Sequence, residues 1–232
     1  FEDIPNAVAG RIDALNVFDG SRSGTFEDGY YKYLNVGMRL PISTGTDWFL
    51  YDFARVYARV TGKLTAQSWL DAVKAGRCQA TNSPLLTLTV DGKEIGDVIN
   101  LDKGKTVRVE LTATGRHDFQ KLELLQNGRV IQTEMGKAKS GVYTARIVRE
   151  VRLDEPAWFA ARIDSTAKNE LDRQLYAHTS PIYVDFAGQR VFDIETGRNL
   201  QKQMEEARDE IKSRGKFGDD ASRGKILEIY DD

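Results

Sequence analysis

At Leu85 the hydrophobic period of this chain changes, and that change limits the folds open to it. Downstream, Leu86, Leu88 and Val90 alternate with Thr87 and Thr89, and Val107, Val109, Leu111 and Ala113 alternate with Arg108, Glu110 and Thr112. Period two sends alternate side chains to opposite faces, which marks strands with one face buried. Residues 121–126 and 129–133 flank Asn127-Gly128, the dipeptide that best fits a two-residue hairpin turn. Residues 142–151, 157–163 and 181–186 supply three more strands, and Asp91-Gly92 another turn. About seven short strands with turn residues between them predict a two-sheet antiparallel sandwich of immunoglobulin-like character, without its Cys–Trp–Cys landmarks.

Upstream the pattern is mixed. Residues 14–18 form a compact apolar run that ends at Asp19-Gly20, a buried strand followed by a loop. Thr25 stands three residues before Asp28, the spacing of a capping box, and opens a helix carrying Tyr30, Tyr31 and Leu34 that Gly37 ends. Residues 57–60 predict another strand. Thr65 caps a second helix, with Leu64 and Trp69 as a hydrophobic staple, Trp69, Leu70 and Val73 as its apolar face and Gly76 as terminator. At the other end of the chain, Leu200, Met204, Ala207 and Ile211 recur at helical spacing in a charged segment, and Ile226, Ile229 and Tyr230 mark a shorter helix.

Composition excludes several classes of function. The 33 basic and 35 acidic side chains leave a formal net charge of -2, which favours neither nucleic acid nor an anionic membrane as partner. No apolar run approaches the roughly 18 residues of a transmembrane helix. The single cysteine, Cys78, excludes an intrachain disulfide and leaves the redox compartment open. The chain starts at Phe1 with neither the basic start nor the apolar core of a signal peptide, so a preceding segment is expected. Export to the periplasm or cell exterior would require a signal in that segment.

The candidate for chemistry is Asp47, in Ser43-Thr44-Gly45-Thr46-Asp47. A carboxylate just past a strand end, beside a glycine, can reach a ligand at the mouth of an α/β barrel. By residue type alone, an aspartate after Gly-Thr is more often a turn former or helix cap. His117 reads as a solvated loop histidine, His178 as a strand-entry residue, Cys78 as a buried thiol and Trp158 as core. Arg77 and Asn82 lie on the connector between the mixed and the all-β parts, where they can bridge the two or contact a substrate.

Residues 30–41, Tyr-Tyr-Lys-Tyr-Leu-Asn-Val-Gly-Met-Arg-Leu-Pro, followed by Ser43-Thr44-Gly45-Thr46-Asp47, resemble the CehA/McbA-type branch of the polymerase-and-histidinol-phosphatase (PHP) superfamily. So do residues 69–77, Trp-Leu-Asp-Ala-Val-Lys-Ala-Gly-Arg, then Thr81-Asn82-Ser83-Pro84-Leu85-Leu86 and residues 90–97, Val-Asp-Gly-Lys-Glu-Ile-Gly-Asp. The resemblance covers about the first hundred residues and implies a β/α barrel that binds divalent metal (zinc, manganese or iron) at its C-terminal mouth. Asp47 matches a last-strand metal ligand of that superfamily. In the intact protein, metal-bound water would then hydrolyse a phosphoester. The sequence departs from the pattern where Phe49 replaces a frequent histidine and Ser83 a usual glycine, and no His-x-His pair is present. One carboxylate cannot hold a catalytic metal, which takes three protein ligands or more.

The expected architecture is therefore α+β. A remnant of a PHP-type α/β barrel spans 1–82, an immunoglobulin-like antiparallel β-sandwich 84–187, and a helical extension 188–232. The open edges of the remnant need cover from the sandwich, from a second copy, or from the C-terminal helix packing Leu200, Met204 and Ile211 on it, the last being preferred. The expected function is that of a non-catalytic C-terminal fragment of a metal-dependent hydrolase, inactive and metal-free alone, with the upstream barrel segment as its partner. The alternative is a binding module for a glycan or protein, which predicts an exposed aromatic cluster on one sheet face and is opposed if Trp158, Tyr143 and Tyr183 are all buried.

Overall fold

A computed structural model describes residues 3–19, 25–46, 52 and 54–231. The chain opens with α1 (Asp3–Val8), β1 (Leu15–Asp19), α2 (Glu27–Asn35), β2 (Ile42–Gly45), β3 (Arg55–Ala58), α3 (Ala66–Lys74) and β4 (Cys78–Thr81). The all-β part follows as β5 (Leu85–Val90), β6 (Lys93–Glu94), β7 (Val98–Leu101), β8 (Lys105–Gly115), β9 (Lys121–Gln126), β10 (Arg129–Met135) and β11 (Lys137–Lys139). Then come β12 (Val142–Leu153), β13 (Ala157–Lys168), β14 (Gln174–Thr179), β15 (Ile182–Phe186), α4 (Ile194–Arg214) and α5 (Asp220–Asp231).

Residues 14–191 form one compact unit, and residues 1–13 with 192–232 form another. In the larger unit two sheets face each other. A five-stranded sheet runs β11-β12-β8-β5-β6, and an eight-stranded sheet has the path β10-β9-β13-β14-β4-β3, with β15 and β7 branching from β13. The periodic strands do what their pattern requires. Val107, Val109 and Leu111 of β8 are fully buried, as are Leu122 and Leu124 of β9 and Phe159, Ala161 and Ile163 of β13. Each large side chain so buried stabilises the fold by about 1.5–3 kcal/mol. The hairpin turn is as expected, with φ of 51° at Asn127 and 81° at Gly128.

The eight-stranded sheet departs from a simple sandwich because its second face is also covered. β13 is buried at five consecutive residues, Ala157 to Ala161, and β9 at four, from Leu122 to Leu125. A strand covered on both faces loses its alternation. The covering layer comes from the first third of the chain. β1 and β2 pair in parallel with α2 between them, and Phe18 of β1 stacks on Tyr176 of β14 with ring centroids 4.8 Å apart.

Some expectations hold and others are corrected. The chain is α+β as expected and largely β, and among the described residues β1 pairs with β2 and β3 with β4, with no closed barrel. β3 and the unforeseen β4 lie in the stretch 1–82, yet they join the sandwich sheet through β4 and β14, and residues 14–191 form one compact unit. Thr25 does not cap α2: it makes an isolated bridge with Phe18, and α2 begins at Glu27 with no side-chain cap. Thr65 does cap α3, in a reciprocal box with Ser68. The staple fails, because Leu64 is 71% exposed and Leu70 is also exposed, leaving Ala72 and Val73 as the buried positions. The strand expected at 57–60 lies at Arg55–Ala58. The C-terminal helices do group with α1, which belongs to the 1–82 stretch, and Leu200 is buried as expected. Ala207 rather than Met204 or Ile211 is the other buried residue of α4, while the sandwich packs on β1 and β2.

One close approach pins α3 to the sandwich. Gly96, with φ of +86°, leaves no room for a side chain, since a Cβ there would fall 2.2 Å from the Ala75 carbonyl oxygen and 2.8 Å from the Gly76 carbonyl carbon. Gly96→Ala must both strain the backbone and separate these segments, and should destabilise by about 2–4 kcal/mol in urea unfolding. An effect below about 1 kcal/mol, the size of an ordinary helix-interior change, would contradict this packing.

Candidate functional site

Two polar constellations on the larger unit have the burial and convergence expected of a functional site. The first lies between α2 and the outer face of the eight-stranded sheet. Glu27, Tyr31 and Asn35 are spaced by four residues and form one stripe of α2. Each bonds to the sheet. Glu27 Oε2 accepts from Arg162 Nη1 at 2.6 Å, the Tyr31 hydroxyl bonds His178 Nε2 at 2.8 Å, and Asn35 Oδ1 accepts from Trp158 Nε1 at 2.8 Å. Arg162 also donates to Glu123 Oε2, at 2.8 Å from Nε and 2.7 Å from Nη2. Lys121 completes the group by donating to Glu123 Oε1 at 2.6 Å.

Burial would lower Arg162, but Glu27, Tyr31 and Glu123 outweigh it and hold the guanidinium firmly charged. Burial would raise Glu123, and the bonds from Lys121 and Arg162 keep its carboxyl below the ordinary range. His178 is completely buried, and desolvation keeps its pKa below the ordinary 6.5. Its Nδ1 lies 2.7 Å from the Thr179 carbonyl oxygen, which can only accept, so Nδ1 carries the proton and Nε2 accepts from Tyr31. Tyr31 is itself raised by burial and by Glu27, and so remains protonated. His178 is thus a neutral histidine inside a strand rather than a strand-entry residue.

The second constellation surrounds Asn82. Its Nδ2 donates to Asp52 Oδ2 at 2.7 Å and to the Gln174 carbonyl at 2.6 Å, while its Oδ1 accepts from the Tyr176 amide at 2.8 Å. Asn169 Nδ2 donates to Asp52 Oδ1 at 2.5 Å, and Asn169 Oδ1 accepts from the amides of Leu171 and Arg173. These acceptor bonds fix both amides with nitrogen toward Asp52, so the wholly buried carboxylate is held by donors and presents no oxygen cage to a cation. Asn82 ties the segment at Asp52 to the end of β4 and the start of β14.

Asp47, the expected metal ligand, lies outside the described residues, as does Phe49. β2 ends two residues before it, and β1 ends at Asp19, which is paired with Gly45 and 9% exposed. Among the described residues no group of three His, Cys, Asp or Glu side chains is placed to hold a metal ion, so these residues alone do not fit the implied metal. Arg77 lines a cleft between β3, β4, β5 and β6, whose lining does not include Asp52, Asn82 or Asn169. Cys78 is buried against Ser180 and the Ile42 carbonyl, and burial pushes its thiol up despite Arg77 beside it in sequence. His117 sits beside Arg116 against Glu170. Compared with known proteins, the chain matches no family model and no curated sequence.

Sequence reasoning missed Glu27, Glu123, Arg162 and Asp52. The four-residue spacing of Glu27, Tyr31 and Asn35 was the available signal for the first of these. Arg162→Met would leave Glu27 and Glu123 buried without their shared partner and should destabilise by about 3–5 kcal/mol, read by denaturant unfolding. pH adds a separate test. Unfolded His178 binds a proton below its ordinary value of 6.5 and the folded residue does not, so its contribution is complete above that pH and lost as pH falls. Glu123 acts lower, its contribution fading below the ordinary 4.5 toward its depressed folded value. Between about pH 7 and 5.5 the wild type should lose stability more steeply than His178→Phe, and parallel slopes would refute the assignment.

Proposed function

We propose that this chain is the non-catalytic C-terminal part of a PHP-type metal-dependent hydrolase, acting on a phosphoester in the intact protein. The observation that carries the reading is the parallel β1–α2–β2 unit. Parallel strands joined through a helix belong to α/β domains, whose ligands gather at the carboxyl ends of the strands. Asp19 stands at that end of β1, and Asp47 follows that end of β2 in sequence. The remaining ligands would come from an upstream barrel segment, and no chemical step is assigned to the described residues. Their part is to hold β1 and β2 in place through α2 and the sandwich.

The binding-module reading has less support. Trp158 is wholly buried beneath α2, while Tyr143 and Tyr183 are half-buried on different sheets, so the three make no common exposed face.

The test uses the protein made from its complete gene, grown with added manganese, zinc or iron and assayed by elemental analysis after gel filtration. Bound metal is expected, and Asp47→Asn should weaken it by at least the roughly 10–100-fold that loss of a supporting partner costs. Metal-free protein under these conditions, or undiminished binding in the variant, would overturn the proposal.

A further inference from the structure

A cleft lined by two arginines lies at the edge of the sandwich. β3 and β4 pair with Tyr57 opposite Gln79, and two residues further along the Arg59 amide donates to the Arg77 carbonyl. In an antiparallel pair, residues two apart share a face, so Tyr57, Arg59, Gln79 and Arg77 all project to the same side. That side faces β5, because Gln79 bonds both the amide and the carbonyl of Leu86 at 2.8 and 3.0 Å. The sheets diverge here and leave a cleft of about 290 Å³, with Leu86 and Leu88 among its lining and Glu94 and Ile95 on the β6 side. This is close to the lower end of the range for small-molecule sites, roughly 300–1,000 Å³.

Its charge is unbalanced. Two arginines face one acid, and Glu94 is committed to an ion pair with Arg59. Arg77 is partly buried, its Nε is sealed from solvent without a hydrogen-bond partner, and among the described residues it has no ion pair. A buried guanidinium donor left unmade is costly, and the fork geometry of arginine matches a two-oxygen acceptor. Tyr57, 44% exposed, offers an aromatic wall beside it.

We propose that this cleft binds a small molecule carrying a carboxylate or phosphate on an apolar body. The oxyanion pairs with Arg77, and the body lies against Tyr57, Leu86 and Leu88. The site goes beyond the hydrolase reading and does not depend on it, since none of its residues belongs to the β1–β2 end.

The test is an NMR titration of the full chain, following the arginine Nε–Hε and backbone amide signals. Inorganic phosphate, phenyl phosphate and phenylacetate serve as probes. Saturable shifts at Arg77 and along β3–β5 are expected with the two aryl probes. At least one should bind roughly tenfold more tightly than inorganic phosphate, the gain of burying a small apolar body. The stronger aryl probe tells phosphate from carboxylate preference. Arg77→Gln should abolish these shifts, and Tyr57→Ala, at an exposed edge position, should weaken aryl binding several-fold while phosphate binding stays unchanged. Unfolding midpoints matching wild type establish that each variant is folded, and should Arg77→Gln unfold, Tyr57→Ala alone decides. No saturable shift up to about 20 mM of any probe, or wild-type binding by the folded variants, would overturn the proposal.

Discussion

The organisation of the larger unit depends on a match of repeat lengths between a helix and a strand. Eight residues of α2, from Glu27 to Asn35, rise about 12 Å. Four residues of β13, from Trp158 to Arg162, rise about 13 Å. The polar stripe of the helix therefore meets the outward-facing side chains of the strand at both ends, Glu27 on Arg162 and Asn35 on Trp158. Tyr31, midway on the helix, reaches His178, which pairs with Arg162 across β13 and β14. Sliding the helix by one turn, about 5.4 Å, would break all three contacts and strand Arg162 against a single carboxylate. Buried ion pairs contribute little net stability compared with apolar packing. What they contribute here is register, because apolar contacts of Tyr31 with Trp158 would tolerate a slide that the hydrogen bonds do not.

This coupling explains which strands were legible in the sequence. β5, β8 and β12 have one face in water, so their hydrophobic period is intact and they can be read directly. β14 could not be read in this way. Its sequence Gln-Leu-Tyr-Ala-His-Thr mixes polar and apolar residues, yet five of the six are buried. His178 and Thr179 look like loop residues until their partners are known, and Tyr31 lies 147 positions away in sequence. β4 was missed for the same reason, with Gln79 acting as a backbone mimic for β5. Turn chemistry, being local, fared better: Asn127-Gly128, Gly37 and Gly76 all take the positive φ expected of them. The failure at Thr25 is one of context, since its backbone is engaged by Phe18.

The candidate site was legible only at its edges. Asn82 and Arg77 drew attention because they sit on a connector, but sequence could not distinguish their environments. Asn82 is saturated by bonds to Asp52, Gln174 and Tyr176, whereas Arg77 has a donor to spare. That difference comes from the strands on either side of them. Asn82 continues β4 alongside β14, where backbone groups are near, and Arg77 precedes β4 at the edge where the two sheets part.

The shared sheet has a consequence for how the two ends of this unit communicate. β4 pairs with β3 on one side and β14 on the other, and Cys78 at its start bonds to the Ile42 carbonyl of β2. The residue before Cys78 is Arg77 and the one opposite is Ala58, next to Arg59. One four-residue strand thus connects the parallel β1–β2 pair to the cationic cleft through packed backbone, with no flexible linker between them. A parallel pair has little stability of its own and needs cover on its faces. Further barrel strands completing the pair, as proposed, would meet a β2 already tied to β4 through Ile42 and Cys78. The two arginines of the cleft flank the start of β4, joined by the bond from the Arg59 amide to the Arg77 carbonyl.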